Sequence, residues 1–225
     1  MSYDVLTFDC YGTLIDWERG IAEAFLRAAA RDGVELDPHR VLAAHAEIEP
    51  VVQAEGYRSY REVLEIVALR AARLLGWPLE PRHADFLPAS VGRWPPFPDT
   101  NPALRRLKGG GVILGILSNV DDDLLAGTLR RIDVEFDLFV TAQQVRSYKP
   151  APAHFERARE LVGSRSWLHV AQSYFHDVEP AAACGIPVAW INRKAEVPLG
   201  EAAPTVELRD LLELADWLGA SRSPA

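Results

Sequence analysis

The sequence predicts an α/β protein built on a parallel sheet, with an all-helical block inserted after the first strand. Three observations lead there. From about residue 101 onward, short apolar runs alternate with helical stretches, the pattern of βαβ units. One strand-like run, Tyr3 to Phe8, precedes residue 16. Between them, from Asp16 to about Trp94, apolar residues recur at helical spacing and no convincing strand occurs.

The elements follow in order. Y-D-V-L-T-F (residues 3–8) has the β-branched and aromatic content of a buried strand and ends in the polar turn Asp9-Cys10-Tyr11-Gly12-Thr13. Asp16 is placed to cap a helix running through Ala30, with Gly33 as its stop. A second helix is expected from Pro38 to Ala54. A third is expected from Ser59 to Leu75, with Leu64, Val67, Ala71 and Leu74 on one face and Gly76 and Pro78 beyond it. The proline-rich segment Arg93 to Asp99 suits a hinge back to the main domain. A helix at 101–108 is followed by a glycine turn and a strand at 112–117. Then come helix 122–132, strand 138–142, helix 153–162, strand 167–171, helix 179–184, strand 187–191 and a last helix at about 208–218. The expected domains are therefore an α/β core of 1–15 and 93–225 and a helical block of 16–92. The tail Ser221 to Ala225 reads as frayed.

Composition narrows the function. The net charge is −8, and of 24 basic residues only Lys108, Lys149 and Lys194 are lysines. That argues against nucleic acid, which is held mainly by dense basic side chains. No segment approaches the ~20 apolar residues of a membrane span, so no membrane partner is expected. With two cysteines, Cys10 and Cys184, and no metal-type spacing, a reducing cytoplasm is the expected location. Cys10 should point to the far side of the strand from Asp9 and serve packing.

Four polar clusters fall at or just after strand carboxyl ends: Asp9-x-Tyr11-Gly12-Thr13, Ser118-Asn119, Lys149-Pro150, and Gln172-Ser173 with Asp177. In a parallel sheet those ends share one edge, where ligands bind. A carboxylate there can act as a nucleophile. Lys149 is the cation that would keep Asp9 ionised. Thr13 and Ser118 supply hydroxyl donors, and Asp177 is placed to orient or deprotonate a water. Asp121 to Asp123 would cap the helix that follows them.

F-D-C-Y-G-T-L, I-L-S-N, Y-K-P and the spacing to Asp177 together resemble the four motifs of the haloacid dehalogenase superfamily. The resemblance implies a Rossmann-like core with a small helical cap that closes over the site. It departs from the magnesium-dependent phosphatases of that superfamily at two places. Tyr11 stands where their second aspartate would be, and Ala171-Gln172 where they have Gly-Asp. A phenol is a poor proton donor to a leaving alkoxide, and a lost carboxylate weakens a magnesium site. A halide leaving group needs no proton.

D-x-Y-G-T is similar to the first motif of the L-2-haloacid dehalogenases, which the chain also resembles at Ser118, Asn119, Lys149 and Asp177. That resemblance implies attack by Asp9 on C2 of a short 2-haloalkanoate and hydrolysis of the ester with help from Asp177. No metal and no cofactor are implied, and a homodimer is. Tyr11, Thr13, Ser118, Asn119, Ser173, Arg40 and His45 are the expected substrate-binding residues. His45 falls where the dehalogenases have a cap arginine. Arg40 lies close in sequence, but about 140° away around a helix. Tyr57, Arg58 and Tyr60 are further candidate donors. Phe155 stands where the dehalogenases have a tyrosine. Two other readings stay open: a magnesium-dependent phosphatase or phosphonate hydrolase, and a ligand-binding homologue without catalysis.

Overall fold

The computed structural model describes residues 3–198 and 200–220, so the tail 221–225 lies outside the described residues. In chain order, β1 (Val5–Phe8) is followed by α1 (Trp17–Arg31), α2 (Pro38–Ala54) and α3 (Tyr60–Leu74). Two 3-10 helices, Pro81–Phe86 and Pro88–Arg93, lead to α4 (Thr100–Gly109), β2 (Ile113–Ser118) and α5 (Asp122–Leu129). Then come β3 (Leu138–Thr141), α6 (Ala142–Val145), α7 (Ala153–Val162) and β4 (Trp167–Ala171). A π-helical turn, Tyr174–Val178, runs into α8 (Glu179–Ala183), and the chain closes with β5 (Val188–Ile191), β6 (Val206–Leu208) and α9 (Leu211–Ala220). The chain divides into two compact units.

The first unit comprises Met1–Ile15, Pro96–Asn119 and Ile132–Ala225. It holds a six-stranded sheet in the order β3-β2-β1-β4-β5-β6, with every neighbouring pair parallel. Both faces are buried, as a parallel sheet requires. Val5, Leu117, Val140, Trp167, Val188 and Trp190 lie in one core cluster with Phe155, Ala158 and Val162 of α7 and Ala181 of α8. The strand alternation sends Leu6, Phe8, Leu114, Ile116, Leu168 and Val170 to the other face, all fully buried. Each such side chain contributes about 1.5–3 kcal/mol. The order reverses between β1 and its neighbours β2 and β4, so the carboxyl end of β1 sits at the switch point where α/β sheets bind ligands.

The second unit, Asp16–Pro95 and Val120–Arg131, is wholly helical. Asp16 caps α1 by accepting from Arg19 N at 3.1 Å, and Ser59 with Glu62 forms a capping box on α3. Phe25 packs edge-on against Phe86 at 5.1 Å, with Trp77 beside both. No described helix is long and apolar enough to cross a membrane.

Two sequence expectations change here. Asp121 does not cap its own helix through its side chain; its carboxylate accepts from Tyr60 N and Arg61 N, both at 2.9 Å, at the start of α3. Orphan amides at a helix start take any anion the fold supplies. The last helix begins at Leu211 rather than 208, because Val206–Leu208 pairs with β5 as an edge strand.

Candidate active site

The turn after β1 carries the first functional group. Asp9 N donates to Val170 O at 3.0 Å, continuing the sheet, and the chain then folds back. Gly12 sits at φ +100, a conformation open to glycine, and its N–H donates to Ile15 O at 2.8 Å. This turn returns Thr13 to Asp9. The Thr13 hydroxyl accepts from Gln172 N at 2.9 Å and donates to Asp9 Oδ2 at 3.0 Å. Gln172 thus acts through its backbone, while its side chain donates to Glu196.

Lys149 enters from beyond β3. Its backbone is gripped by Asn119: Lys149 N donates to Asn119 Oδ1 at 2.7 Å, and Asn119 Nδ2 donates to Lys149 O at 3.0 Å. The Lys149–Pro150 peptide is cis. The ammonium donates to Asp9 Oδ1 at 2.9 Å, Asp177 Oδ1 at 2.5 Å and Leu117 O at 2.9 Å. Those three bonds use all three ammonium protons. Lys149 is 1% exposed, Asp9 7% and Asp177 1%, so this is a buried triad of two carboxylates and one cation.

Asp177 is delivered by the π-helical turn after β4. Ser173 starts that turn: its hydroxyl accepts from His176 N at 3.1 Å and lies 3.0 Å from His176 Nδ1. Asp177 Oδ1 also meets His169 Nε2 at 3.0 Å. Among the described residues, Asp177 Oδ2 and Ser118 Oγ are buried without a hydrogen-bond partner.

Burial pushes the Asp9 carboxyl above the usual carboxylate range; the Asp177 charge adds to this, while Lys149 and Thr13 oppose it. Burial acts on Asp177 in the same direction, but Lys149 and His169 outweigh it and hold it down at about 2. Burial would lower Lys149, yet the two carboxylates outweigh it and raise it. The site therefore holds an ammonium and an ionised Asp177 around the carboxylate that is easier to neutralise. Burial, with Asp9 adjacent, pushes the Cys10 thiol well up, so it stays protonated. Burial and Lys149 hold His154 down at about 3; its Nε2 lies 3.2 Å from Ser118 O.

The structure thus brings together Asp9, Thr13, Lys149 and Asp177, with Asn119 fixing the Lys149 backbone. Tyr11 is half-buried in the same turn. Arg40 and His45 lie on α2 in the helical unit. Arg40 is exposed. His45 is buried against Trp17, and burial lowers its pKa. Tyr60 Oη donates to Glu49 at 2.8 Å, and Arg58 donates to Val52 O at 3.3 Å. Sequence reasoning missed Thr7, Trp167, His154 and His169. A histidine inside the apolar run W-L-H-V-A was the available signal, since a buried imidazole requires partners.

The model of haloacid dehalogenase-like hydrolases matches residues 3–185. The chain belongs to the haloacid dehalogenase-like hydrolase family. Within it, (S)-2-haloacid dehalogenase H-109 of Pseudomonas putida is 36% identical over 128 residues, covering 55% of this chain and 57% of that protein. The chain thus spans little more than half the length of that relative. (S)-2-haloacid dehalogenase 4A of Burkholderia cepacia is 28% identical over 204 residues, covering 88% of this chain and 86% of the relative. The crystal structure of a defluorinating L-2-haloacid dehalogenase superimposes with a TM-score of 0.83 at 25% identity, covering 96% of this chain and 95% of that one.

Proposed function

We propose that this family member is a hydrolytic dehalogenase of short 2-haloalkanoic acids, working through an aspartyl ester on Asp9 without a metal ion. The observation that carries the reading is the Lys149 ammonium set between Asp9 and Asp177 at 2.9 and 2.5 Å. A carboxylate nucleophile must be ionised yet stripped of water, and a buried cation meets both needs. An Asp9 oxygen attacks C2, the carbon–halogen bond breaks, and halide leaves with the bonding pair. Thr13 and Lys149 hold the carboxylate as its charge passes to the halide. Water then adds to the Asp9 carbonyl carbon. Asp177, ionised before the step, orients that water through Oδ2, takes its proton as the new bond makes it acidic, and returns that proton to the departing ester oxygen. The bond from that carbonyl carbon to the ester oxygen breaks, a 2-hydroxy acid departs, and Asp9 keeps one oxygen from water.

The buried Ser118 hydroxyl supports a role in holding the substrate carboxylate, with Tyr11 beside Asp9 in the same turn. Arg40 keeps an exposed guanidinium suited to a carboxylate; His45, buried and shifted toward its neutral form, does not. The donor set does not fit the magnesium of the family's phosphatases. Lys149 occupies one oxygen of each aspartate, and position 172 carries an amide turned toward Glu196.

The test is halide release from each enantiomer of 2-chloropropionate in EDTA. Release from at least one is expected. No halide from either, with magnesium-dependent turnover of an aryl phosphate, would replace this reading by the phosphatase one.

A further inference from the structure

His169 interrupts an otherwise apolar, fully buried strand. The β1–β4 register sets Thr7 directly opposite it, and Thr7 Oγ1 lies 2.9 Å from His169 Nδ1. Trp167, two residues earlier on the same face, donates its indole N–H to Thr7 Oγ1 at 2.7 Å. An indole nitrogen only donates. The Thr7 oxygen therefore accepts from Trp167; it has a second lone pair, but only donation to His169 Nδ1 pairs its own buried proton. With Nδ1 accepting, the ring proton sits on Nε2 and is donated to Asp177 Oδ1 at 3.0 Å. The other tautomer would point a lone pair at the Asp177 carboxylate and leave a buried hydroxyl proton unpaired, a cost of about 1–3 kcal/mol. Phe155 closes on the imidazole edge-to-face at 5.2 Å, fixing its plane.

We propose that His169 is a positioning residue for the second half of the reaction: its Nε2–H, set by Trp167 and Thr7 on the other ring nitrogen, pins Asp177 Oδ1 and leaves Oδ2 as the acceptor for the attacking water. This rests on the aspartyl-ester reading. Ester formation depends on Asp9 and Lys149; ester hydrolysis depends on the aim of Asp177. Loss of the His169 N–H therefore slows the second step and spares the first.

Rapid-quench kinetics of the full chain with 2-chloropropionate separates the two. His169→Phe is expected to release one equivalent of halide per site at close to the normal rate, then to form hydroxy acid about 10- to 100-fold more slowly. His169→Gln, which restores an N–H donor, is expected to recover most of the second rate. Equal loss in both steps, or an unchanged second step, would overturn the proposal. A nitrogen-15 NMR spectrum of the histidine-labelled wild type at pH 8 reads the tautomer without substrate or mutation. A neutral Nε2–H ring supports the proposal; an Nδ1–H or charged ring refutes it. No halide from the wild type would defeat the dehalogenase reading alone, and the NMR result would still decide whether His169 is locked.

Discussion

Lys149→Met removes the cation that two buried carboxylates share and leaves a methylene stem of similar length. In the wild type the ammonium makes three hydrogen bonds at 2.5–2.9 Å inside the protein. Removing one partner of a buried ion pair costs about 3–5 kcal/mol. For a chain of this length that lowers the melting temperature by about 6–20 °C. The pH dependence has a defined sign. Without Lys149 the two buried carboxylates face each other with no ammonium between them, so one binds a proton in the folded state more tightly than when unfolded. A raised folded-state carboxyl pKa makes stability rise as pH falls. In the wild type Asp9 is raised as well, but Lys149 opposes that rise, and Asp177 at about 2 is depressed from 3.8, so the Asp177 contribution is present above about pH 4 and is lost only as pH falls toward 2. The gap between variant and wild type therefore narrows from pH 8 to pH 5. Adding Asp177→Asn to the variant removes one of the two uncompensated charges and should recover part of the loss. Differential scanning calorimetry at the two pH values checks this. A loss under 1 kcal/mol at pH 8, or a gap independent of pH, would refute the electrostatic account of the triad.

Three further outcomes follow from single contacts. His154 is held down at about 3 from 6.5, so the folded state gains relative stability above pH 6.5 and loses it as pH falls toward 3; by pH 4.5 the loss is about 2–3 kcal/mol, and urea midpoints of His154→Asn should show a flatter acid limb. Asp121→Ala removes the acceptor of two amides at the start of α3 and should destabilise that helix by about 1–2 kcal/mol, read as faster amide exchange at Tyr60 and Arg61. Gly20→Ala places a Cβ 2.2–2.7 Å from the Trp94 ring, and should cost about 1–3 kcal/mol by overpacking, read as a lower melting temperature.

Much of the fold was legible because it is written in local periodicity. Strand runs such as V-L-T-F and W-L-H-V-A, and the 3.6-residue pattern of α3, report burial directly. The polar clusters could be assigned to one edge because parallel strands share their carboxyl ends. What stayed hidden depends on partners distant in sequence. Val206–Leu208 becomes a strand because β5 lies beside it, not because three residues insist on it. Asn119 was expected at the substrate, yet its side chain is bonded to the Lys149 backbone. Ser173 is engaged with His176 within its own turn. His169 gained meaning only when the register put Thr7 on one nitrogen and Asp177 on the other. Motif spacing names the residues that meet; it does not name the hydrogen bonds that orient them.

A single turnover in oxygen-18 water, followed by mass analysis of the peptide containing Asp9, tests the nucleophile most directly. Attack by Asp9 predicts one heavy oxygen in its carboxylate and unlabelled 2-hydroxy acid. Heavy oxygen in the product of that first turnover, with Asp9 unlabelled, would mean that water attacks the substrate itself.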